Sequence, residues 1–193
     1  THNTYLNGTA QCQNGPPIDR ATHLRVFQDA TRGRRGPNAP DTSDWTDSEW
    51  WALAQHHGLP TPMIDWSLSP FVALLFAFEE KYTPAANGIS VEPKQRAVFA
   101  YRVRSAGEKN STENPAPRPY VPQNDSNYRV LNQGGVLLYM PPKTTLEKYV
   151  RNHYPDRPDV SGETIVSRHL WKIAIPNEDR IACLKHLIKM NIN

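Results

Sequence analysis

The chain has 193 residues, enough for one domain with a sizeable core. Apolar residues make up 38% and charged residues 21%, while 18 prolines imply long irregular connections. A net charge of +3 suits an anionic ligand but does not by itself argue for nucleic acid; two cysteines exclude a disulfide framework, and the longest apolar run, Phe71–Phe78, excludes a transmembrane helix.

Residues 1–19 are polar, contain Asn14-Gly15-Pro16-Pro17 and read as an N-terminal arm or loop. Their start has no basic segment and no apolar signal core, so the expected compartment is the cytoplasm. The first residue is Thr rather than Met, consistent with a piece of a longer protein. Helical spacing of Leu24, Phe27 and Gln28 predicts a helix over 20–32, broken by the basic run Arg32-Gly33-Arg34-Arg35-Gly36-Pro37.

Thr46 and Glu49 form a capping box, so a helix is expected from Asp47 to His57. Gly58 stops it, with Pro60 beyond. Trp50, Leu53, Ala54 and His57 would share one face, with Gln55 and His56 off that stripe. Thr61 to Asp65 reads as a short strand because Pro60 and Pro62 oppose helix. Ser69 then caps a new helix with Pro70 in its first position. Phe71 to Phe78 is apolar on every side, which predicts burial all round.

Arg96 to Val103 alternates and reads as a strand with Ala97, Phe99, Tyr101 and Val103 on one side. The proline-rich stretch 105–126 is expected to be a long structureless loop. Val136 to Met140 and Leu170 to Ile175 read as strands. Between them, Thr144 and Glu147 make a second capping box before a helix with Leu146, Tyr149, Val150 and His153 on one face. Asn177 is expected to cap the last helix, with Cys183 a buried apolar residue inside it. Strands and helices interleave without regular βαβ spacing. The predicted class is therefore α+β, a single domain over 20–193 with a mixed or antiparallel sheet and a buried central helix.

Chemistry concentrates in two places. The first is the turn into the Pro70 helix, where Asp65 and Ser67 flank Ser69 and unpaired amides can face an anion. The alternative is that Ser69 is only a cap and Asp65 only a turn former. His56 is the better histidine for ligand contact, and His57 reads as an interior residue; no metal-ligand spacing surrounds them, so no metal is expected. The second is Arg129-Val130-Leu131-Asn132-Gln133-Gly134-Gly135, where Gln133 offers both a donor and an acceptor to an amide, ribose or base edge. A plain turn before a strand is the alternative there. Arg32, Arg34 and Arg35 can hold phosphates or be a solvated loop. No Walker loop, dinucleotide glycine fingerprint or Gly-x-Ser-x-Gly elbow occurs.

The run from Gln55-His56-His57-Gly58-Leu59-Pro60-Thr61 through Asp65-Trp66-Ser67-Leu68-Ser69-Pro70 to Ala77 resembles the hallmark segment of the FRG-domain family, named for a Phe-Arg-Gly motif. Arg129, Gln133 and Gly135 resemble its later Arg-x-x-x-Gln-x-Gly element, and Trp171 to Pro176 its C-terminal strand, so the resemblance spans about residues 20–193. The Phe-Arg-Gly triplet itself is absent and is expected upstream of Thr1; Pro62 stands where the family commonly has a basic residue.

A weaker similarity is to ADP-ribosyltransferases of the arginine–serine–glutamate type. It implies an ADP-ribosyltransferase-like fold and NAD as the substrate. Ser67 or Ser69 would position ribose, and Trp66 or Phe71 would frame nicotinamide. His56 and Asp65 would lie beside the ligand, with Arg129 and Gln133 in the late catalytic place. Glutamine can orient a ribose hydroxyl but cannot stabilise an oxocarbenium charge as a carboxylate does. The implied role is a toxin or phage-defence effector with a nucleic-acid or protein acceptor. The alternatives are a non-catalytic nucleotide or nucleic-acid binding module, or a phage-associated interaction domain. Oligomeric state does not follow from the sequence.

Overall fold

A computed structural model describes residues 9–10, 18–32, 34, 41–79, 93–103, 115–122, 134–154 and 169–192. The class is α+β, as expected, and every strand pair whose register is described is antiparallel. Contacts divide the chain into two units, each assembled from three stretches: 1–66, 103–127 and 136–149 in the first, 67–102, 128–135 and 150–193 in the second. No helix among the described residues is long and apolar enough to cross a membrane.

In the first unit, β1 (Thr9–Ala10) pairs with β2 (Ile18–Asp19), inside the stretch expected to be an arm. Asp19 then caps α1 (Arg20–Thr31), accepting from the Thr22 amide at 3.0 Å and from its hydroxyl at 2.7 Å. The capping box at α2 (Asp47–His56) forms: the Glu49 carboxylate accepts from Thr46 N–H at 2.6 Å and from its hydroxyl at 2.9 Å. Leu24 and Phe27 of α1 pack with Trp50, Trp51, Ala52 and Ala54 of α2. Trp50 meets Phe27 and Trp45 edge-on, at 6.3 and 5.1 Å between ring centres.

Arg20 ties the start of α1 to the chain after the sheet, donating to the carbonyls of Met140 at 2.8 Å and Pro141 at 3.3 Å. The sheet has the order β3 (Met63–Ser67), β6 (Gly135–Tyr139), β5 (Arg118–Tyr120). Strand β5 lies within the stretch 105–126 expected to be structureless. Its Pro119 lacks an N–H but sits on the outer strand of the described sheet, where a missing ladder donor is tolerated. Arg118 stands opposite Tyr139 in the register, and its guanidinium lies 4.8 Å from that ring.

In the second unit, β4 (Gln95–Tyr101) pairs along its whole length with β7 (Leu170–Pro176). Helix α3 (Pro70–Glu79) packs on β4 and on the last helix, α5 (Arg180–Lys189). It buries one stripe, Val72, Leu75 and Phe78, and not its whole surface: Phe71 and Phe76 are 46% and 51% exposed. An apolar composition therefore overstated its burial, because only one side meets these partners. Phe99 and Val103, expected on one side of a strand, are exposed, and the strand ends at Tyr101, before Val103.

Two arginines close the C-terminal end of α3, where the carbonyls have no partners within the helix. Arg96 Nη1 donates to Ala77 O at 3.0 Å, and Arg180 Nε donates to Phe78 O at 2.7 Å. Asn177 does not cap α5 as expected. It opens a 3-10 turn (Asn177–Asp179), and its side-chain oxygen accepts from Arg96 Nε at 2.8 Å.

Helix α4 (Leu146–His153) starts one residue later than the sequence implied. Thr145, not Thr144, caps it by accepting from Lys148 N–H at 3.1 Å. Leu146, Tyr149 and Val150 are buried as expected, but His153 is exposed. Cys183 is a free, half-buried thiol, its pKa pushed up by burial and by Asp179.

Tyr120 packs against the core of the first unit, with its hydroxyl buried and without a hydrogen-bond partner among the described residues. Burial, and secondarily the charge of Glu49, push its pKa from 10.0 up to about 12. A raised folded-state value means that this contribution is fully present below pH 10.0 and is lost as pH rises through about 12. Tyr120→Phe should remove that alkaline loss while leaving stability at pH 7 equal or higher. Urea midpoints of both proteins at pH 7, 9, 10 and 11 test this; parallel curves would refute it.

Candidate functional site

The hallmark segment begins at the end of α2, where local chemistry decides the geometry. Gly58 adopts φ +75°, which a residue with a Cβ reaches only at a cost. Its N–H donates to Gln55 O at 2.9 Å, and Leu59 N–H reaches back to Ala54 O at 3.0 Å. These two bonds are the Schellman pair that closes a helix and turns the chain. His57, the last residue before the turn, is exposed and not interior, because the helix ends before its face can continue inward. His56 is exposed too, its ring edge-on to His57 at 5.5 Å.

After the turn, side chains take over from backbone. Pro60 and Pro62 have no N–H, so the regular strand begins only at Met63 and not at Thr61. Gln55 bridges the gap. Its Oε1 accepts from the Thr61 hydroxyl, and its Nε2 donates to Asp65 Oδ1 at 2.8 Å. The buried Thr61 oxygen in turn accepts from Met63 N–H at 3.2 Å. Pro62 contributes its carbonyl, which accepts from Met140 N–H at 2.8 Å. Asp65 is thus engaged by Gln55 in the first unit.

Past Trp66 the chain enters the second unit. Ser67 Oγ accepts from Ser69 N–H at 3.1 Å, and Ser69 Oγ caps α3 by accepting from Val72 N–H at 3.4 Å. Pro70 has no N–H and that of Val72 is taken, which leaves the Phe71 amide to face a ligand. The Ser69 hydroxyl, whose lone pair makes the cap, keeps a proton to donate. Leu68 N–H donates to Gly134 O at 2.9 Å. Gly134 has φ +57°, and a Cβ there would stand 3.8 Å from Leu68 Cβ and 4.0 Å from Ser67 Oγ. The backbone just after Gln133 is therefore held against the serine turn.

The candidate residues divide accordingly. His56, Asp65 and Trp66 belong to the first unit, and Ser67, Ser69 and Phe71 to the second. Arg129 and Gln133 lie outside the described residues. The sequence placed Gln55 and Thr61 in the hallmark segment without giving either a role. Their only signal was a polar pair flanking a Gly–Pro turn, and the bonds they make are visible only once the chain is folded. No group of three His, Cys, Asp or Glu among the described residues is placed to hold a metal.

The FRG-domain family model matches residues 3–86. The match includes the helix, turn, strand and serine cap just described, and begins ahead of β1 in the stretch set apart as an arm. Arg129, Gln133 and the strand from Leu170 lie beyond the matched residues. No curated protein and no solved structure is found to match the chain.

Gln55→Ala would leave the buried Thr61 hydroxyl and Asp65 without this partner. The expected loss of stability is about 1–3 kcal/mol. Chemical denaturation measures it, and a change within a few tenths of a kcal/mol would show that the bridge does not hold the turn.

Proposed function

We propose that the FRG domain carried by this chain binds a nucleotide at the Ser67–Leu68–Ser69 turn, with NAD as the candidate substrate. The observation that carries the reading is the 2.9 Å bond from Leu68 N–H to Gly134 O, which anchors the glycine following Gln133 on the turn. The Ser69 hydroxyl, the Phe71 amide and the positive end of α3 suit the oxygens of a ribose or a pyrophosphate. Phe71, 46% exposed at the same turn, offers an apolar surface to a flat ring.

Binding is the step these groups serve best. ADP-ribosyl transfer is the further reading, drawn from the order of the Ser67–Ser69 turn, an apolar helix and the late Arg129 and Gln133. In it Arg129 and Gln133 take the late catalytic place, Gln133 orienting a ribose hydroxyl, with a nucleic-acid or protein acceptor and an effector role in defence or toxicity. Its support is the shared order of elements, which is an analogy between folds. A glutamine supplies no carboxylate for the oxocarbenium charge, which favours slow transfer or binding alone.

Calorimetric titration with NAD and with ADP separates the outcomes. The chain should bind NAD at one site, and Ser69→Ala should weaken binding about ten-fold through one lost hydrogen bond. Release of nicotinamide on incubation with NAD would add transfer or hydrolysis to binding. No heat with either nucleotide would end the proposal.

A further inference from the structure

We propose that the first unit holds a second site, for a small amphipathic carboxylate, between α1 and the turn that ends α2. A cavity of about 440 Å³ opens there. That size falls within the range of small-molecule sites, roughly 300–1,000 Å³. One stripe of α1 supplies a wall: His23, Val26, Phe27, Ala30 and Thr31. Leu59, held by its bond to Ala54 O, and His57 line it from the turn that ends α2, and Arg34 lines it from just past the end of α1.

The wall is apolar almost throughout. Val26 is 54% exposed, so its side chain is open to a ligand as well as to solvent. The Thr31 hydroxyl is turned back to its own helix, donating to Gln28 O at 2.8 Å. The His23 ring lies edge-on to Trp51 at 5.8 Å, and burial lowers its pKa, so it is neutral at pH 7 and adds no charge to the interior.

The charge lies at one place. Among the described residues, none that lines the cavity is acidic, and Arg34 is the single permanent cation there. The neighbouring acid, Asp29, is paired with Arg32 at 3.4 Å, while Arg34 has no ion pair among the described residues. Arg34 N–H donates to Thr31 O at 3.2 Å, which fixes the backbone of the arginine against the end of α1. An apolar cavity with one arginine at its wall recognises an apolar or aromatic body bearing one carboxylate, which the guanidinium can take in two parallel bonds. None of the described residues of the proposed nucleotide site lines this cavity, so the two proposals stand or fall separately.

The test uses 2-naphthoate and its neutral counterpart 2-naphthalenemethanol, with binding read by calorimetry and by amide chemical shifts in solution. The wild-type chain should bind naphthoate at least ten-fold more tightly than the alcohol, with shifts centred on Val26, Ala30 and Leu59. Arg34→Gln should reduce naphthoate binding about ten-fold and leave the alcohol unchanged, as for loss of a charge-assisted pair. Ala30→Phe, at an exposed helix position that tolerates a larger side chain, should abolish binding of both while the thermal transition is kept. Absence of naphthoate binding, equal affinity for acid and alcohol, or shifts centred elsewhere would overturn the proposal. So would an Arg34→Gln variant that keeps the preference for the acid.

Discussion

The turn between α2 and β3 depends on a single side chain. Gln55 commits its acceptor to Thr61 and its donor to Asp65, and so bridges a stretch in which two prolines cannot donate. Glutamine suits this place because it carries both functions on one rigid amide; glutamate would lack the donor and lysine the acceptor. With the bridge made, Thr61 is free to accept from Met63, and the strand begins in register beside β6. Half of the hallmark segment is thereby explained as architecture: Gly58 turns the chain, Leu59 closes the helix end, and Gln55 and Thr61 hold the entry into β3.

That division sharpens where ligand chemistry can reside. Asp65 is occupied by Gln55, and the two histidines are exposed neighbours without metal partners among the described residues. The serine turn differs. Its two serine oxygens accept backbone bonds, the Ser69 hydroxyl still has a proton to give, and its middle residue is bound to the backbone of Gly134. A position can cap a helix and bind a ligand at once, because the cap uses a lone pair and the ligand uses the hydroxyl proton.

What was legible in the sequence was local chemistry. Thr46 with Glu49, Gly58 with Pro60, and Ser69 with Pro70 each satisfy orphan groups within a few residues, so their identities announce helix ends. What was illegible depended on distant partners. Nothing near Arg118 says that β6 will pair with it. The apolar circumference of α3 gave no hint that only the Val72, Leu75 and Phe78 stripe would be covered. Asn177 carries the right chemistry for a cap, yet a guanidinium 81 positions earlier in the chain claims its oxygen. The candidate site was read in the same uneven way: the serine turn from local rules, the Gln55 bridge not at all.

Pro119 has a consequence beyond its tolerance in β5. A sheet margin normally shows a row of donors and acceptors that can recruit a strand from another molecule. Here the three-residue margin strand has a ring in place of its central amide and a cation just before it. An incoming strand would lose a hydrogen bond, meet the pyrrolidine ring and have to accommodate Arg118. The same residue that made this stretch look shapeless in the sequence thus makes the margin of the described sheet a poor template for edge-to-edge pairing.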